Sequence, residues 1–401
     1  LRLRADAAAA TVSRRLIGPD PMTPLRNTIL FFVGDAPFFV SHRLNLVEGA
    51  IAAGYEAVVA CPASPAVATI EACGARWVEW KIDRSGMAIM AEIRTFTSAF
   101  HIARSTAPAV IHAIALKCIL YAGIASRILG IPIVGAVSGL GYVYTGATTR
   151  SKAMLRRLIN RFMNLGLNRR DASFIFQNRD DARMVQFARL DKATIYMIGG
   201  SGVDLGAIPM HPHPADSTTI VGLPARLLRD KGVYEFVEAA TQIRDRGHNA
   251  RFILIGDPDP INPTSVTPAE LDAWVADGAI EWRPYTRDIA SMLAALHIVA
   301  LPSYREGFPK TIIDASAAGR ASVTSDVPGC RDAIIDGVTG LLSPAKDAAA
   351  LANTLERLIL DRDRCVAMGK AARQHAEAFF DIRDVTMRHL EIYRETENRR
   401  R

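Results

Sequence analysis

Gly199-Gly200-Ser201-Gly202-Val203-Asp204, running on to His211-Pro212-His213-Pro214 and then to Ile220-Val221, is the stretch from which the fold follows. Glycine and proline at that density punctuate a chain and mark a linker. On its N-terminal side strand and helix patterns alternate. Thr28 to Val33 is an unbroken apolar run, as a strand buried on both faces must be. Further strands are expected near Ala57 to Ala60, Trp77 to Trp80, Ala109 to His112, Ile131 to Val134, Phe174 to Phe176 and Thr194 to Ile198, with helices between them. Ser41 is expected to cap the first helix, which ends before Gly54. On the C-terminal side the alternation restarts at Ile220-Val221. Strands follow near Phe252 to Ile255, Ile280 to Trp282, Ile298 to Leu301 and Ser322 to Thr324, and helices close the chain from Asp347 onward. The expectation is an α/β protein of two Rossmann-like domains, each a doubly wound parallel sheet, facing across a cleft. Residues 24–205 form the first domain, 206–217 the linker and 218–379 the second. Residues 1–23 read as a disordered extension, with Met22 as a start. In open parallel sheets ligands bind at the carboxyl ends of the strands, so the loops that follow strands carry the information.

Length agrees with two domains, since 401 residues exceed one ordinary core. Hydrophobic residues make up 49% and charged residues 22%, a balance that excludes wholesale disorder. Cys61, Cys73, Cys118, Cys330 and Cys365 are odd in number and form no C-x-x-C, which reads as reduced cytoplasmic thiols rather than a disulfide framework or zinc site. No uncharged apolar run reaches about 18 residues, so no membrane span is expected. The nearest approach, Ala107 to Val137, is interrupted by His112, Lys117, Arg127, Gly130 and Pro132.

The net charge of +7 is unevenly spread: no acidic residue falls between Glu92 and Asp171, a stretch holding eleven lysines and arginines. Within it Met154, Leu155, Leu158, Ile159, Phe162, Met163 and Leu165 recur at helical spacing, interleaved with Arg156, Arg157 and Arg161. A packed surface helix explains that pattern as well as a basic amphipathic helix does. The functional alternative is peripheral contact of residues 150–170 with an anionic membrane. A nucleic-acid partner is not expected, because the stretch lacks interleaved stacking aromatics.

Two segments carry chemistry. Leu301-Pro302-Ser303-Tyr304-Arg305-Glu306-Gly307-Phe308-Pro309-Lys310-Thr311-Ile312-Ile313-Asp314 passes from a buried strand through a loop into a helix. Gly307 permits close backbone approach, Pro309 stiffens the loop, and the helix N-terminus offers free amides to a phosphate. Glu306 and Asp314 can then accept from hydroxyls at two ends of one ligand. The structural alternative is a loop cap and a solvated helix residue. Val221-Gly222-Leu223-Pro224-Ala225-Arg226-Leu227-Leu228-Arg229-Asp230-Lys231-Gly232 follows the second domain's first strand. Arg226 and Lys231 suit a diphosphate, one as a bidentate donor and one as a point charge, or they are an exposed charged loop.

An Arg–Lys loop followed some eighty residues on by E-G-x-P-x-x-x-x-[ED] resembles glycosyltransferase family 4, the retaining enzymes of GT-B fold. Other stretches are similar to the bacterial branch that builds lipid-linked oligosaccharides and surface polysaccharides. They are Phe31 to Asp35 with His42-Arg43, Ser138-Gly139-Leu140-Gly141-Tyr142, Gly200 to Asp204, and Asp326-Val327-Pro328-Gly329-Cys330. The resemblance implies that Arg226 and Lys231 hold the donor diphosphate. It implies that Glu306 binds hydroxyls of the transferred sugar beside the backbone of Gly307, Phe308, Pro309, Lys310 and Thr311, and that Asp314 binds the ribose. Gly34 would let the first domain approach the phosphates, and His112, at a strand end, would lie near the donor sugar or in a strand-end network. Arg283 would border the nucleobase. Asp314 is one methylene shorter than the family's glutamate, and Pro284 stands where the family has glycine. A C-terminal helix, 380–401, would return to the first domain, its apolar surface supplied by Ile382, Val385, Met387, Leu390, Ile392 and Tyr393.

The implied activity moves a hexose or N-acetylhexosamine from a nucleotide-sugar, mostly a UDP-sugar, to a lipid-linked or polysaccharide acceptor. No cofactor is expected. No metal is expected either, because Arg226 and Lys231 can replace a divalent cation and Asp257-Pro258-Asp259 reads as a turn. No carboxylate nucleophile is evident, which favours front-face attack. Alternatives are a nonhydrolysing nucleotide-sugar epimerase of the same architecture and a noncatalytic nucleotide-sugar-binding protein. A dehydrogenase is disfavoured, since no G-x-G-x-x-G follows the first strand.

Overall fold

The computed structural model describes residues 27–82, 89–139, 149–185, 189–215 and 217–400. The extension expected over 1–23 and Leu140-Gly141-Tyr142 lie outside the described residues. The chain divides into two units. One holds the residues as far as Phe176, Arg183–Tyr196 and His389–Arg401; the other holds Gln177–Ala182 and Met197–Arg388.

The first unit is built on seven strands: β1 (Thr28–Val33), β2 (Glu56–Cys61), β3 (Arg76–Glu79), β4 (Val110–Ile114), β5 (Ile133–Val137), β6 (Ala172–Phe176) and β7 (Thr194–Met197). Their order is β3-β2-β1-β4-β5-β6-β7, so the sequence direction reverses between β1 and β4. Both of those strands pair in parallel, with Phe31 opposite His112. Ile29 to Phe32 are fully buried, which is why β1 reads as one apolar run. Asp35, not Ser41, caps the first helix, Ala36–Ala52: its carboxylate accepts from Phe38 N at 3.0 Å. Such a cap contributes about 1 kcal/mol. Ser41 lies inside the helix and donates back to Pro37 O at 3.0 Å.

The second unit carries β8 (Thr219–Pro224), β9 (Ala250–Ile255), β10 (Glu281–Arg283), β11 (Ile298–Leu301), β12 (Ala321–Ser325) and β13 (Gly340–Ser343). The order is β10-β9-β8-β11-β12-β13, all in parallel, and the reversal falls between β8 and β11. Alternate residues of β8 enter different apolar clusters, Val221 and Leu223 one and Ile220 the other, so the sheet is covered on both faces. The final strand, β13, is not among the strands expected from sequence.

The glycine- and proline-rich linker is pinned rather than loose. Val203 N donates to Phe380 O at 2.8 Å, and Ile382 N to Val203 O at 3.0 Å. Further on, the fully buried Arg320 donates to the carbonyls of His211 and Pro212 at 3.0 Å, to Leu293 at 3.0 Å and to Ala294 at 3.1 Å. Four carbonyls satisfy a guanidinium that would otherwise be costly to bury. Burial still lowers its pKa to about 10.

His213 lies in that linker with Arg320, His297 and Arg362 around it; burial, and then the electrostatic effect of these neighbours, Arg320 foremost, lowers its pKa to about 4. His112 in the first unit is likewise held well below 6.5 by burial, then by His389 and Arg43. An unfolded chain protonates both near pH 6.5. Below that pH the unfolded state binds protons that the native state refuses, so stability falls as pH drops from 6.5 toward 4. Tm measured from pH 7.5 to 4.5 is expected to decline through this window, and less steeply in His213→Gln. A flat profile would refute the assignment.

The last helix, Ile382–Asn398, begins in the second unit, and its residues from His389 onward belong to the first. Ile392 and Tyr393 are buried there, while Met387 is exposed. Thr396 Oγ1 hydrogen bonds to Ser173 Oγ at 2.6 Å, and Glu395 accepts from Tyr196.

Candidate functional site

The reversal between β8 and β11 opens a crevice at the carboxyl ends of these strands, where ligands bind in such sheets. Both segments singled out from sequence emerge there. Lys231 Nζ lies 2.5 Å from Glu306 Oε1, and the buried Ser303 donates to the same oxygen at 2.7 Å. The two loops are tied to each other, since Tyr304 N donates to Asp230 O at 2.9 Å. Glycine makes that approach possible. Gly232, at φ 75°, would place a Cβ 2.1 Å from Pro302 O, and Gly329, at φ 83°, would place one 2.4 Å from Glu306 O.

The helix Lys310–Ala317 starts immediately beyond this loop. Pro309 is its N-cap residue and no side chain caps it, so its first amides lack a capping acceptor. Thr311 Oγ1 donates to Pro224 O at 3.0 Å, fixing the first turn against the end of β8. Asp314 is only 7% exposed and accepts from Lys310 Nζ at 2.6 Å. Burial raises its pKa, opposed by Lys310. It is therefore not the solvated helix residue of the structural alternative. Gly307 lines the loop, whereas the Phe308 ring turns into the core and meets Phe380 at 5.5 Å between centroids.

Other expected residues do not converge on Lys231 and Glu306. Arg226 has a side chain 65% exposed and pairs with Asp259 at 3.2 Å. Asp257, from the same Asp-Pro-Asp stretch, accepts from Tyr285 N at 3.2 Å. This stretch therefore organises the rim of the crevice and is more than a turn. Arg283 ends β10 at the sheet edge, half exposed and 3.9 Å from Glu281.

Gly34 and His112 belong to the other unit. Gly34 follows β1 and lines a cavity of about 360 Å³ with Asp35, Ala36, Pro37, Pro62, Ser64 and Ile82. His112 takes part in a network, the second of its two expected readings, but inside the strand rather than at its end. It sits in the middle of β4, 0% exposed, with Nδ1 2.5 Å from Tyr393 Oη and its ring beside Phe31 and His389. The strand runs two residues further than the sequence suggests, so His112 is a core residue. What the strand end presents is Ala115, at φ 75° and ψ 151°, followed by Lys117, which pairs with Glu92 at 2.7 Å. That conformation stores about 1–3 kcal/mol of strain in a residue other than glycine.

Sequence reading missed three residues beside the site. Asn178 Nδ2 donates to Gly307 O at 2.7 Å, and Arg305 pairs with the fully buried Asp181. Burial holds Asp181 above its ordinary range against the pull of Arg305.

With this geometry in place, similarity to known proteins becomes informative. Residues 28–172 match the family model described as Glycosyl transferase 4-like, and residues 218–361 match that described as Glycosyl transferases group 1. A Campylobacter jejuni protein, N,N'-diacetylbacillosaminyl-diphospho-undecaprenol alpha-1,3-N-acetylgalactosaminyltransferase, is 31% identical over 269 residues, covering 64% of this chain and 69% of that one. The chain belongs to glycosyltransferase family 4. Membership makes it a transferase and sets it apart from the epimerases that share its architecture. A Staphylococcus aureus capsular polysaccharide biosynthesis glycosyltransferase, CapM, is 26% identical over 161 residues, covering 40% of this chain and 42% of that one. The GT-B fold is shared with the Anabaena protein HepE, solved in complex with UDP, at a TM-score of 0.73 and 18% identity, over 91% of this chain and 98% of that one.

Proposed function

We propose that this glycosyltransferase moves a hexose or N-acetylhexosamine from a UDP-sugar to a lipid-linked or polysaccharide acceptor, with retention of anomeric configuration and without a metal. The observation that carries the donor side is the Lys231–Glu306–Ser303 cluster at the strand-order reversal, beside the uncapped amides of the Lys310–Ala317 helix. Lys231 neutralises the departing diphosphate, with Arg226 reaching in from the rim. Glu306, oriented by Ser303, accepts from hydroxyls of the transferred sugar. Asp314 accepts from the ribose, and Arg283 borders the base. A fixed cation at the leaving group performs the charge stabilisation a divalent ion would otherwise supply.

Transfer then occurs on one face of the sugar. The bond from anomeric carbon to phosphate oxygen breaks, the bond to the acceptor oxygen forms, and the acceptor proton passes to the departing phosphate. The relatives' names support the choice of substrates: the Campylobacter jejuni enzyme is named for a diphospho-undecaprenol acceptor, and HepE was solved with UDP. Among the described residues no helix is long and apolar enough to cross a membrane. We place the enzyme on the cytoplasmic face of the membrane, in peripheral contact through the Arg150–Leu167 helix.

The test is incubation with a panel of UDP-sugars and membrane lipid extract, with products identified by mass spectrometry and their anomeric configuration by NMR. Exhaustive chelation should leave the rate unchanged. Loss of activity restored by magnesium or manganese would overturn the metal-free mechanism, and an inverted product the front-face one.

A further inference from the structure

We propose that Asn178 and Asp181 are positioning residues for Glu306, gripping the loop residues on either side of it. This rests on the reading of Glu306 as a ligand of the transferred sugar. Each neighbour of Glu306 is held by the same short segment. Asn178 Nδ2 donates to Gly307 O at 2.7 Å, and Asp181 pairs with the Arg305 guanidinium. Arg305 is drawn to Asp181, while the next residue, Glu306, reaches Lys231 and Ser303.

The gripping segment is itself fixed. Asn178 Nδ2 also donates to Asp181 Oδ2 at 3.1 Å, and Asn178 Oδ1 accepts from Asp181 N at 2.7 Å. Both residues are almost wholly buried, so these hydrogen bonds have no water to compete with them. Next to them Asp180 meets Arg331 at 3.3 Å, and Arg331 holds Asp326 at 2.6 Å. Asp326 opens the loop in which Pro328 O accepts from Glu306 N at 3.2 Å. Neither Asn178 nor Asp181 touches Lys231, and both act through the loop.

Asn178→Ala and Asp181→Asn are expected to lower kcat by about ten- to a hundredfold, the scale of displacing a group by about an ångström. UDP affinity, read by calorimetry, should stay within about threefold, since Lys231 and Arg226 are undisturbed. A merely structural role would move Tm and UDP affinity together. The decisive measurement is the cycle with Glu306→Gln. If the segment works through Glu306, N178A in the E306Q background lowers kcat no further. Arg305→Lys, which keeps the charge but not the fork, gives a smaller loss that also vanishes in E306Q, and it serves if N178A does not fold. Losses that multiply with that of E306Q, or an N178A enzyme as fast as wild type, overturn the positioning role alone. An E306Q enzyme as fast as wild type overturns the reading of Glu306 and the positioning role with it.

Discussion

Lys231→Ala is expected to lower kcat for sugar transfer by more than about a hundredfold, the scale for removing one preorganised charge donor from a transition state. In the donor complex the diphosphate gains negative charge as the glycosidic bond breaks, and Lys231 is the cation that the crevice holds in place beside Glu306. The alanine variant also leaves the Glu306 carboxylate, whose side chain is 13% exposed, with Ser303 but no cation. That uncompensated charge costs about 1–3 kcal/mol of stability. Activity must therefore be compared with Tm, and Lys231→Ala combined with Glu306→Gln recovers the stability without recovering the rate.

Arg226→Ala provides the contrast. Its exposed pair with Asp259 contributes little to folding, so Tm should not move. The rate should fall only about ten- to a hundredfold, the worth of one charged hydrogen bond. A purified, folded Lys231→Ala enzyme with wild-type kcat would remove the diphosphate role.

The sequence discloses these residues because buried parallel strands read as apolar runs. Whatever follows such a run in an α/β chain stands at the ligand-binding end of the sheet. Arg226, Lys231, Glu306 and Asp314 all follow β8 or β11 directly, so their neighbourhood was legible; their partners were not. Asn178 meets Gly307 across 129 positions and Asp181 meets Arg305 across 124, separations over which no local pattern operates. Arg320, likewise, meets the carbonyls of His211 and Pro212 across 109 and 108 positions. His112 shows the effect of a boundary: with the strand expected to end two residues early, a histidine in the middle of β4 reads as a strand-end residue, open to a sugar or to a network.

The Arg150–Leu167 helix shows how geometry refines a pattern that sequence leaves ambiguous. Its apolar residues split between two faces. Met163 and Leu167 are fully buried, with Leu167 against Gly123 of the Leu116–Leu129 helix, whereas Met154 is 72% exposed and Leu158, Phe162 and Leu165 are exposed too. The packed-helix explanation accounts for the first set and leaves the second in water. On a helix of 3.6 residues per turn Arg150, Arg157 and Arg161 fall within about 40° of one another, immediately beside the exposed stripe. All three are exposed, while Arg156 is turned toward the packed side. An apolar stripe edged by arginines complements an anionic lipid surface, to which each cation contributes about 1 kcal/mol. Removing three of them therefore weakens binding by roughly two orders of magnitude, and reversing them weakens it further. Replacing Arg150, Arg157 and Arg161 with glutamate is expected to abolish sedimentation with anionic liposomes. It should cut transfer to a lipid-linked acceptor yet spare transfer to a short soluble one. Added salt should weaken wild-type binding only in part, because apolar insertion of Met154, Leu158, Phe162 and Leu165 would be insensitive to screening. A triple variant that pellets as the wild type does, or a wild type that never binds such liposomes, would make this face a structural one.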